Sequence, residues 1–186
     1  MRAAKEVMLE IANNLAFSQF GVLEAKNLVF LPEVRQMCEA NRCNMYDRSW
    51  SCPPACGTLE EITEKAKAYE NGIVLQMTGQ MEDDYDVEVM METEAILKEK
   101  LLKMVEVLRQ RNIEHLPMSA GACTLCQVCT YPDAPCRFPE KASPSMEAYG
   151  LIVNDCCKLA KLKYYYGPQT ITFSACILFE KEKIWG

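Results

Sequence analysis

The sequence predicts an α/β or α+β fold: a single two-layer domain of helices on a mixed sheet, with two cysteine-rich metal loops. Helical and strand-like patterns alternate along the chain, which is typical of layered folds. The 186 residues, 49% of them hydrophobic, suffice for one core. Eight of the eleven cysteines fall into two groups of four, most of them in irregular segments. Since no linker or internal repeat divides the chain, we expect residues 1–186 to form one cysteine-rich metal-binding domain.

The chain is expected to begin with an amphipathic helix at about residues 3–20, which could lie at the periphery and ends near Gly21. The stretch NLVFL predicts a short strand at residues 27–31. A helix then begins at Pro32, because proline is favoured at the first helical position.

A second group of elements follows the first cysteine-rich segment. Thr58 and Glu61 have the spacing of a capping box, which predicts a helix to about Glu70. GIVLQMTG is a buried strand, and the acidic run MEDDYDVEVMM is a solvated loop whose tail is a candidate strand. Apolar residues then recur at helical spacing from about Glu92 to Arg111, which predicts a long helix.

The last third of the chain is expected to complete the sheet. IEHLPMSAG is typical of a strand that leads into the second cysteine-rich segment. A short helix is predicted from Ser143 to Gly150, and another from a cap at Asn154 to about Tyr165. The alternating stretch ITFSACILF predicts a final strand.

Charge and hydropathy limit the partners. A net charge of -6 and a pI near 5.0 argue against nucleic acid and against an anionic membrane surface. Glu6 and Glu10 interrupt the only N-terminal stretch that resembles a signal peptide, and no apolar run is long enough to span a membrane. We therefore expect a cytoplasmic protein, and the sequence leaves its oligomeric state open.

The cysteines carry the chemistry. In a reducing compartment structural disulfides are disfavoured, so eleven cysteines favour metal or redox chemistry. Two groups of four stand out. The first quartet is Cys38, Cys43, Cys52 and Cys56, and the second quartet is Cys123, Cys126, Cys129 and Cys136.

The second quartet begins with CTLCQVC. A tetrahedral zinc site is usually built from two separated pairs of thiolates, whereas a cubane iron-sulfur cluster offers several iron corners that one tight loop can reach. The triplet therefore favours iron and sulfur over zinc. Six residues, TYPDAP, separate it from Cys136. Cys136 can fold back onto the same cluster or reach elsewhere, and if it does not ligate, one iron stays open to a substrate.

The first quartet has irregular spacing, so its interpretation as a metal site depends more on the neighbouring residues. Trp50 and Tyr46 can shield a cluster from solvent. Arg42, Arg48 and Arg137 lie beside the thiols, where they either stabilise a negatively charged cluster or form ordinary surface ion pairs.

The other candidate ligands are weaker. His115 is the single histidine and lies in a strand-like run, which favours a core or surface role over ligation. Without histidine pairs, common catalytic zinc sites and Rieske-type clusters are excluded. Cys156, Cys157 and Cys176 lie in regular elements and are expected to be packed thiols.

Three stretches carry a family resemblance: WSCPPACGTLEE, GACTLCQVCTYPDAPCRFPEKASPSMEAYG and YYYGPQTITFSACILF. From about Val34 to Phe179 the chain resembles the predicted metal-binding proteins known as domain of unknown function 2284. That family is common in anaerobic bacteria and archaea. The resemblance implies that the eight quartet cysteines hold metal, as iron-sulfur clusters, and it implies no particular reaction.

Three functions remain open at this point. The first is a cytoplasmic protein with one or two 4Fe-4S clusters that exchanges electrons with a redox protein partner. The second is an enzyme that uses such a cluster on a small substrate. The third is an interaction module held together by two all-cysteine zinc sites.

Overall fold

The computed structural model describes residues 4–180, so both ends of the predicted domain, residues 1–3 and 181–186, lie outside the described residues. The described part has an α+β fold, as predicted, with five α-helices and four strands. In chain order they are α1 (Ala4–Asn14), β1 (Gln19–Glu24), α2 (Pro32–Glu39), α3 (Leu59–Lys67), β2 (Asn71–Gln80), α4 (Val87–Gln110), β3 (His115–Met118), α5 (Val153–Leu159) and β4 (Thr170–Phe179).

The four strands form one sheet in the order β1-β2-β4-β3, and every neighbouring pair is antiparallel. The predicted mixed sheet is therefore corrected to an antiparallel one. β2 and β3 run in the same direction and are joined through α4, an arrangement that favours parallel pairing. However, β4 inserts between them in the opposite direction, so no parallel pair forms between the strands.

Both faces of the sheet are covered, which corrects the expected two layers to three. The central strands β2 and β4 are buried over most of their length. On one face Ile73 and Ile177 pack with α1 and α4. On the other face Val74 and Leu178 pack with α3 and α5. A strand that is apolar on both sides must bury both sides, so helices are needed on each.

The N-terminal segment differs most from its prediction. The helix ends at Asn14, and the residues that follow form the edge strand β1. Gly21 is not the end of a helix: a Cβ atom there would lie 2.2 Å from the carbonyl oxygen of Ala160, so only glycine allows this approach of β1 to the end of α5. Five buried residues place α1 in the core rather than at the periphery.

Three further boundaries are corrected. The expected strand at 27–31 is extended chain, in which the Leu31 N–H donates to the Gly150 carbonyl at 2.8 Å, outside the sheet. The tail of the acidic run is the first turn of α4, because the Asp86 carboxylate accepts the Val89 N–H at 3.1 Å and caps the helix.

After the second cysteine-rich segment, the predicted short helix at 143–150 is a series of turns. Helix α5 begins after Ile152 instead of Asn154 and ends at Leu159. The capping box of Thr58 and Glu61 is confirmed, as is Pro32 at the start of α2. No helix in the range 4–180 has the length and apolarity required to cross a membrane.

Three thiols lie in the core on the α3 and α5 face, as the sequence predicts. Cys156, Cys157 and Cys176 are each no more than 2% exposed. Burial raises the pKa of Cys156 to about 12, and the neighbouring thiol of Cys157 adds to the effect. Gln76 Nε2 donates to Cys157 Sγ at 3.4 Å. These thiols are therefore protonated and shielded near neutral pH.

We expect these three cysteines to resist alkylation in the folded protein. The nucleophile is the thiolate, and their thiols are both inaccessible and hard to ionise. Mass spectrometry after brief iodoacetamide treatment at pH 8 should find them unmodified, whereas the exposed Cys43 in metal-free protein should react. Denaturation before treatment should label all of them. Modification of Cys176 as fast as Cys43 in native protein would contradict the packing described here.

Candidate metal centre

Seven of the eight quartet cysteines lie on two loops, and Cys38 lies near the end of α2. The first cysteine loop, residues 40–58, joins α2 to α3. The second cysteine loop, residues 119–142, follows β3. Its ends meet where the Ser119 N–H donates to the Pro144 carbonyl at 2.8 Å and the Met146 N–H donates to the Ser119 carbonyl at 3.0 Å. The sheet therefore fixes the point from which the second loop projects.

Helix α4 holds the start of the second loop. Lys98 Nζ lies 2.7 Å from the Ala122 carbonyl oxygen and 2.7 Å from a Glu94 carboxylate oxygen. Gly121 has a positive φ of 58°, and a Cβ atom there would lie 2.6 Å from the Glu94 carboxylate. The glycine before the first cysteine is therefore required by the backbone conformation and by the close approach of Glu94.

Aromatic side chains fasten the two loops together. The Trp50 Nε1–H donates to the Ala134 carbonyl at 3.0 Å. The Trp50 and Tyr131 rings meet edge to face, with centroids 5.0 Å apart. The Tyr131 hydroxyl donates to an Asp47 carboxylate oxygen at 2.6 Å. The first loop thus supplies one wall for the thiols of the second.

All four thiols of the second quartet line one cavity of about 670 Å³. Ser49, Trp50 and Ser51 of the first loop line it as well. A water molecule takes up roughly 30 Å³ in the liquid, so this space exceeds what one ion needs and is large enough for a polynuclear group. In residues 4–180 no three His, Cys, Asp or Glu side chains are grouped as ligands of a single ion.

Cys129 has the most favourable surroundings for a thiolate. Burial raises its pKa, but hydrogen bonds from the backbone N–H groups of Trp50 and Tyr131, and from the Ser49 hydroxyl, outweigh it, so the pKa of Cys129 lies below its ordinary 9.0. Two of these donors come from the first loop. Hydrogen-bond donors around sulfur are the means by which proteins stabilise thiolates bound to metal.

Thiols of the first quartet influence one another electrostatically. Burial, then the charges of Cys43 and Cys56, raise the pKa of Cys52 to about 11. Burial also raises the pKa of Cys38; the positive charge of Arg35 opposes this, and the charges of Cys43 and Cys56 add to it. The charges of Cys43 and Cys56 thus oppose ionisation of both Cys38 and Cys52, and a positive group or bound metal would favour their thiolates.

Arg35 supplies that positive charge. Its Nη1 lies 3.5 Å from Cys56 Sγ and donates to the Ala148 carbonyl at 2.5 Å, while Nη2 donates to the Gly57 carbonyl at 2.7 Å. The guanidinium thus joins α2, the end of the first loop and the turn before α5. The sequence analysis did not identify Arg35 as a residue that stabilises the thiols. Its position three residues before Cys38, on one face of a helix, was the available signal.

The three arginines that the sequence places beside the thiols are not equally close to the cavity. Arg48 and Arg137 line the cavity, and Arg137 Nη1 donates to the Val128 carbonyl at 2.9 Å. Arg42 is exposed and does not line it. The His115 Nδ1 lies 2.7 Å from the Ile113 carbonyl, an arrangement in keeping with a local structural role.

Two loops fastened to each other, which carry seven of the eight quartet cysteines, are the architecture of a cysteine-rich metal-binding protein. The chain belongs to the family described as Predicted metal-binding protein (DUF2284), whose model matches residues 21–179, a range that contains both quartets. No curated protein matches the chain.

One solved structure is similar to this chain: a crystal structure of epoxyqueuosine reductase with a tRNA-Tyr epoxyqueuosine-modified tRNA stem loop. The identity is 12% and the TM-score is 0.43. The match covers 96% of this chain and 46% of that chain, so the present chain spans less than half of the reductase.

We expect Arg35→Lys to destabilise the protein. An ammonium group cannot make the three contacts of the guanidinium at once, and the carbonyls of Ala148 and Gly57 lose a charged donor. The free energy of unfolding should fall by about 1–3 kcal/mol in urea denaturation followed by circular dichroism.

Arg109→Lys is the matched control, because Arg109 contacts Glu140 at 3.4 Å on the surface. Its cost should be no more than about 1 kcal/mol. Equal losses in the two variants would show that Arg35 is an ordinary surface arginine.

Proposed function

We propose that the protein is an iron-sulfur protein with a 4Fe-4S cluster on the second quartet and a second one on the first quartet, and that it exchanges electrons with a redox protein partner in the cytoplasm. The observation that carries the proposal is the cavity of about 670 Å³ lined by Cys123, Cys126, Cys129 and Cys136. The spacing CTLCQVC and the all-sulfur donor set favour iron and sulfur over zinc.

A bound cluster supplies the capacity to take up and release one electron at a time. The residues of the chain supply ligation, shielding and charge. Cys129 receives N–H donors, which favour a more negatively charged group at this position. Trp50 covers one wall of the cavity, and Arg48 and Arg137 place positive charge beside it.

The acidic surface suggests the kind of partner. The net charge of -6 would steer a basic redox protein toward the chain more effectively than an acidic one. Val128 and Phe138, both exposed, lie on the second cysteine loop and give this side of the molecule an apolar contact surface.

We expect protein purified without oxygen to contain about eight irons and eight acid-labile sulfides per chain, as two cubane clusters require. Cys129→Ala should lose about half of both, because it removes one ligand of the second quartet. The measurement is iron and sulfide analysis on folded protein.

Cys176→Ala is the matched control, since Cys176 is buried in the core away from both loops. It should retain the full content of iron and sulfide. About four irons in the parent protein would leave one quartet without a cluster. Zinc without sulfide would favour the zinc-held interaction module instead.

A second candidate function has its own supporting observation. A cavity of about 540 Å³ lies beside the second quartet, and Trp50, Ser51 and Cys136 line both spaces. Its remaining walls are mostly proline and alanine, with the Asp133 carboxylate as a polar group. Small-molecule sites have this volume and this apolar lining. A cluster with an iron left open by Cys136 could act there as an enzyme on a small substrate.

Cyanide distinguishes the two functions. It binds an iron that has a free coordination position, but not an iron that already has four thiolate and sulfide ligands. Under the electron-transfer proposal, cyanide should leave the EPR signal of the reduced protein unchanged, and Cys136→Ala should lose iron. A cyanide-induced shift of the signal, together with full iron content in Cys136→Ala, would favour the enzyme.

A further inference from the structure

A partly buried guanidinium without a carboxylate partner lies beside the first quartet. Arg35 is on α2, three residues before Cys38, and its Nη1 donates to Cys56 Sγ at 3.5 Å. Its other contacts are with backbone carbonyls, from Nη1 to Ala148 at 2.5 Å and from Nη2 to Gly57 at 2.7 Å. Among the residues that the structure describes, no carboxylate forms an ion pair with Arg35. Of its three contacts, only the one with Cys56 is with a group that can ionise.

The charge of Arg35 calls for a negative group nearby. A charged side chain that is partly removed from water costs free energy unless an opposite charge compensates it. The two carbonyls satisfy donors of the guanidinium but leave its charge uncompensated. Lys98, which is also partly buried, shows the usual solution, because it pairs with the Glu94 carboxylate at 2.7 Å. At Arg35 the matching source of negative charge is a thiolate of the first quartet, or a cluster that such thiolates hold.

Contacts on both sides hold the guanidinium against Cys56. The Leu31 N–H donates to the Gly150 carbonyl at 2.8 Å, which ties the start of α2 to the turn that contains Ala148. On the other side, the Cys56 N–H donates to the Cys52 carbonyl at 3.1 Å and fixes the backbone of the first loop. The guanidinium is planar and presents its N–H groups as a rigid fork. It therefore cannot turn away from the thiol without breaking its hydrogen bonds to the carbonyls.

We propose that Arg35 is a positioning residue that sets the midpoint potential of the first-quartet centre, because its fork holds a positive charge and a hydrogen bond on the Cys56 thiol. The inference rests on the proposed function, since it requires a redox-active cluster on that quartet. Reduction adds one electron to the centre, and a positively charged donor at a ligating sulfur stabilises this more negative state. Arg35 therefore raises the potential and makes the first-quartet centre easier to reduce.

The test is an anaerobic potentiometric titration with dithionite, followed by EPR, on the parent protein and on Arg35 variants. Arg35→Gln removes the charge and should lower the potential of the first-quartet centre, whose signal Cys129→Ala identifies because it retains only that signal. At a fixed solution potential the ratio of reduced to oxidised centre should fall about tenfold, which is about 59 mV for a one-electron couple. Arg35→Lys keeps the charge but cannot make all three contacts, so its shift should be smaller and in the same direction.

Two comparisons separate this local effect from a general one. The second-quartet centre of the same variants should keep its parent potential, because Arg35 does not line the cavity of that quartet. Arg111→Gln makes the same change at an exposed residue at the end of α4, which does not line that cavity either. It should leave both potentials unchanged.

Failure of the inference and failure of the proposed function give different results. Protein without iron and sulfide, or with a single cluster that Cys129→Ala removes, contradicts the proposed function itself. Full iron and sulfide with the parent first-quartet potential in Arg35→Gln overturns the role of Arg35 and leaves the proposed function in place, and so does an equal shift of both potentials. If Arg35→Gln does not fold, an unchanged first-quartet potential in Arg35→Lys overturns that role instead.

Discussion

The contact between the two cysteine loops determines the geometry of the candidate metal centre. The second loop is closed at its base by Ser119 and held by Lys98, and its cavity is completed by first-loop residues, among them residues 47–51. The hydrogen bond from Trp50 to Ala134 and the ring contact with Tyr131 keep those residues in place. The two quartets therefore belong to one structural unit.

The thiols of both quartets lie beside hydrogen-bond donors and a guanidinium group, and the reason for this arrangement is electrostatic. The chain is acidic overall, and thiolates that are partly removed from water repel one another. The structure places a guanidinium at Cys56, and backbone N–H groups with a serine hydroxyl at Cys129. These local charges and dipoles favour thiolates in a protein whose net charge does not.

The sequence predicted those features that depend on local pattern. The capping box at Thr58, the periodicity of α4 and the alternation of β4 each fix an element within a short window, and the structure has all three. Strand β1 was missed because its burial comes from pairing with β2, and Gly21 was wrongly assigned to a helix end because its partner, Ala160, is far along the chain. The eight quartet cysteines could be nominated from spacing and resemblance. For Arg35 the sequence offers only its spacing from Cys38, since its contacts with Cys56, Gly57 and Ala148 join segments distant in sequence.

The adjacency of the quartets gives the account its most direct test, the EPR spectrum of the fully reduced protein. Residues 49–51, which directly precede Cys52 of the first quartet, line the cavity of the second quartet. If each quartet holds a cluster, two reduced centres that close together should interact magnetically. We expect a spectrum broadened and split by this interaction, which simplifies to a single signal in the variant that lacks Cys129. Two independent signals that add without broadening, or no signal at all after reduction, would contradict the arrangement of two neighbouring iron-sulfur centres.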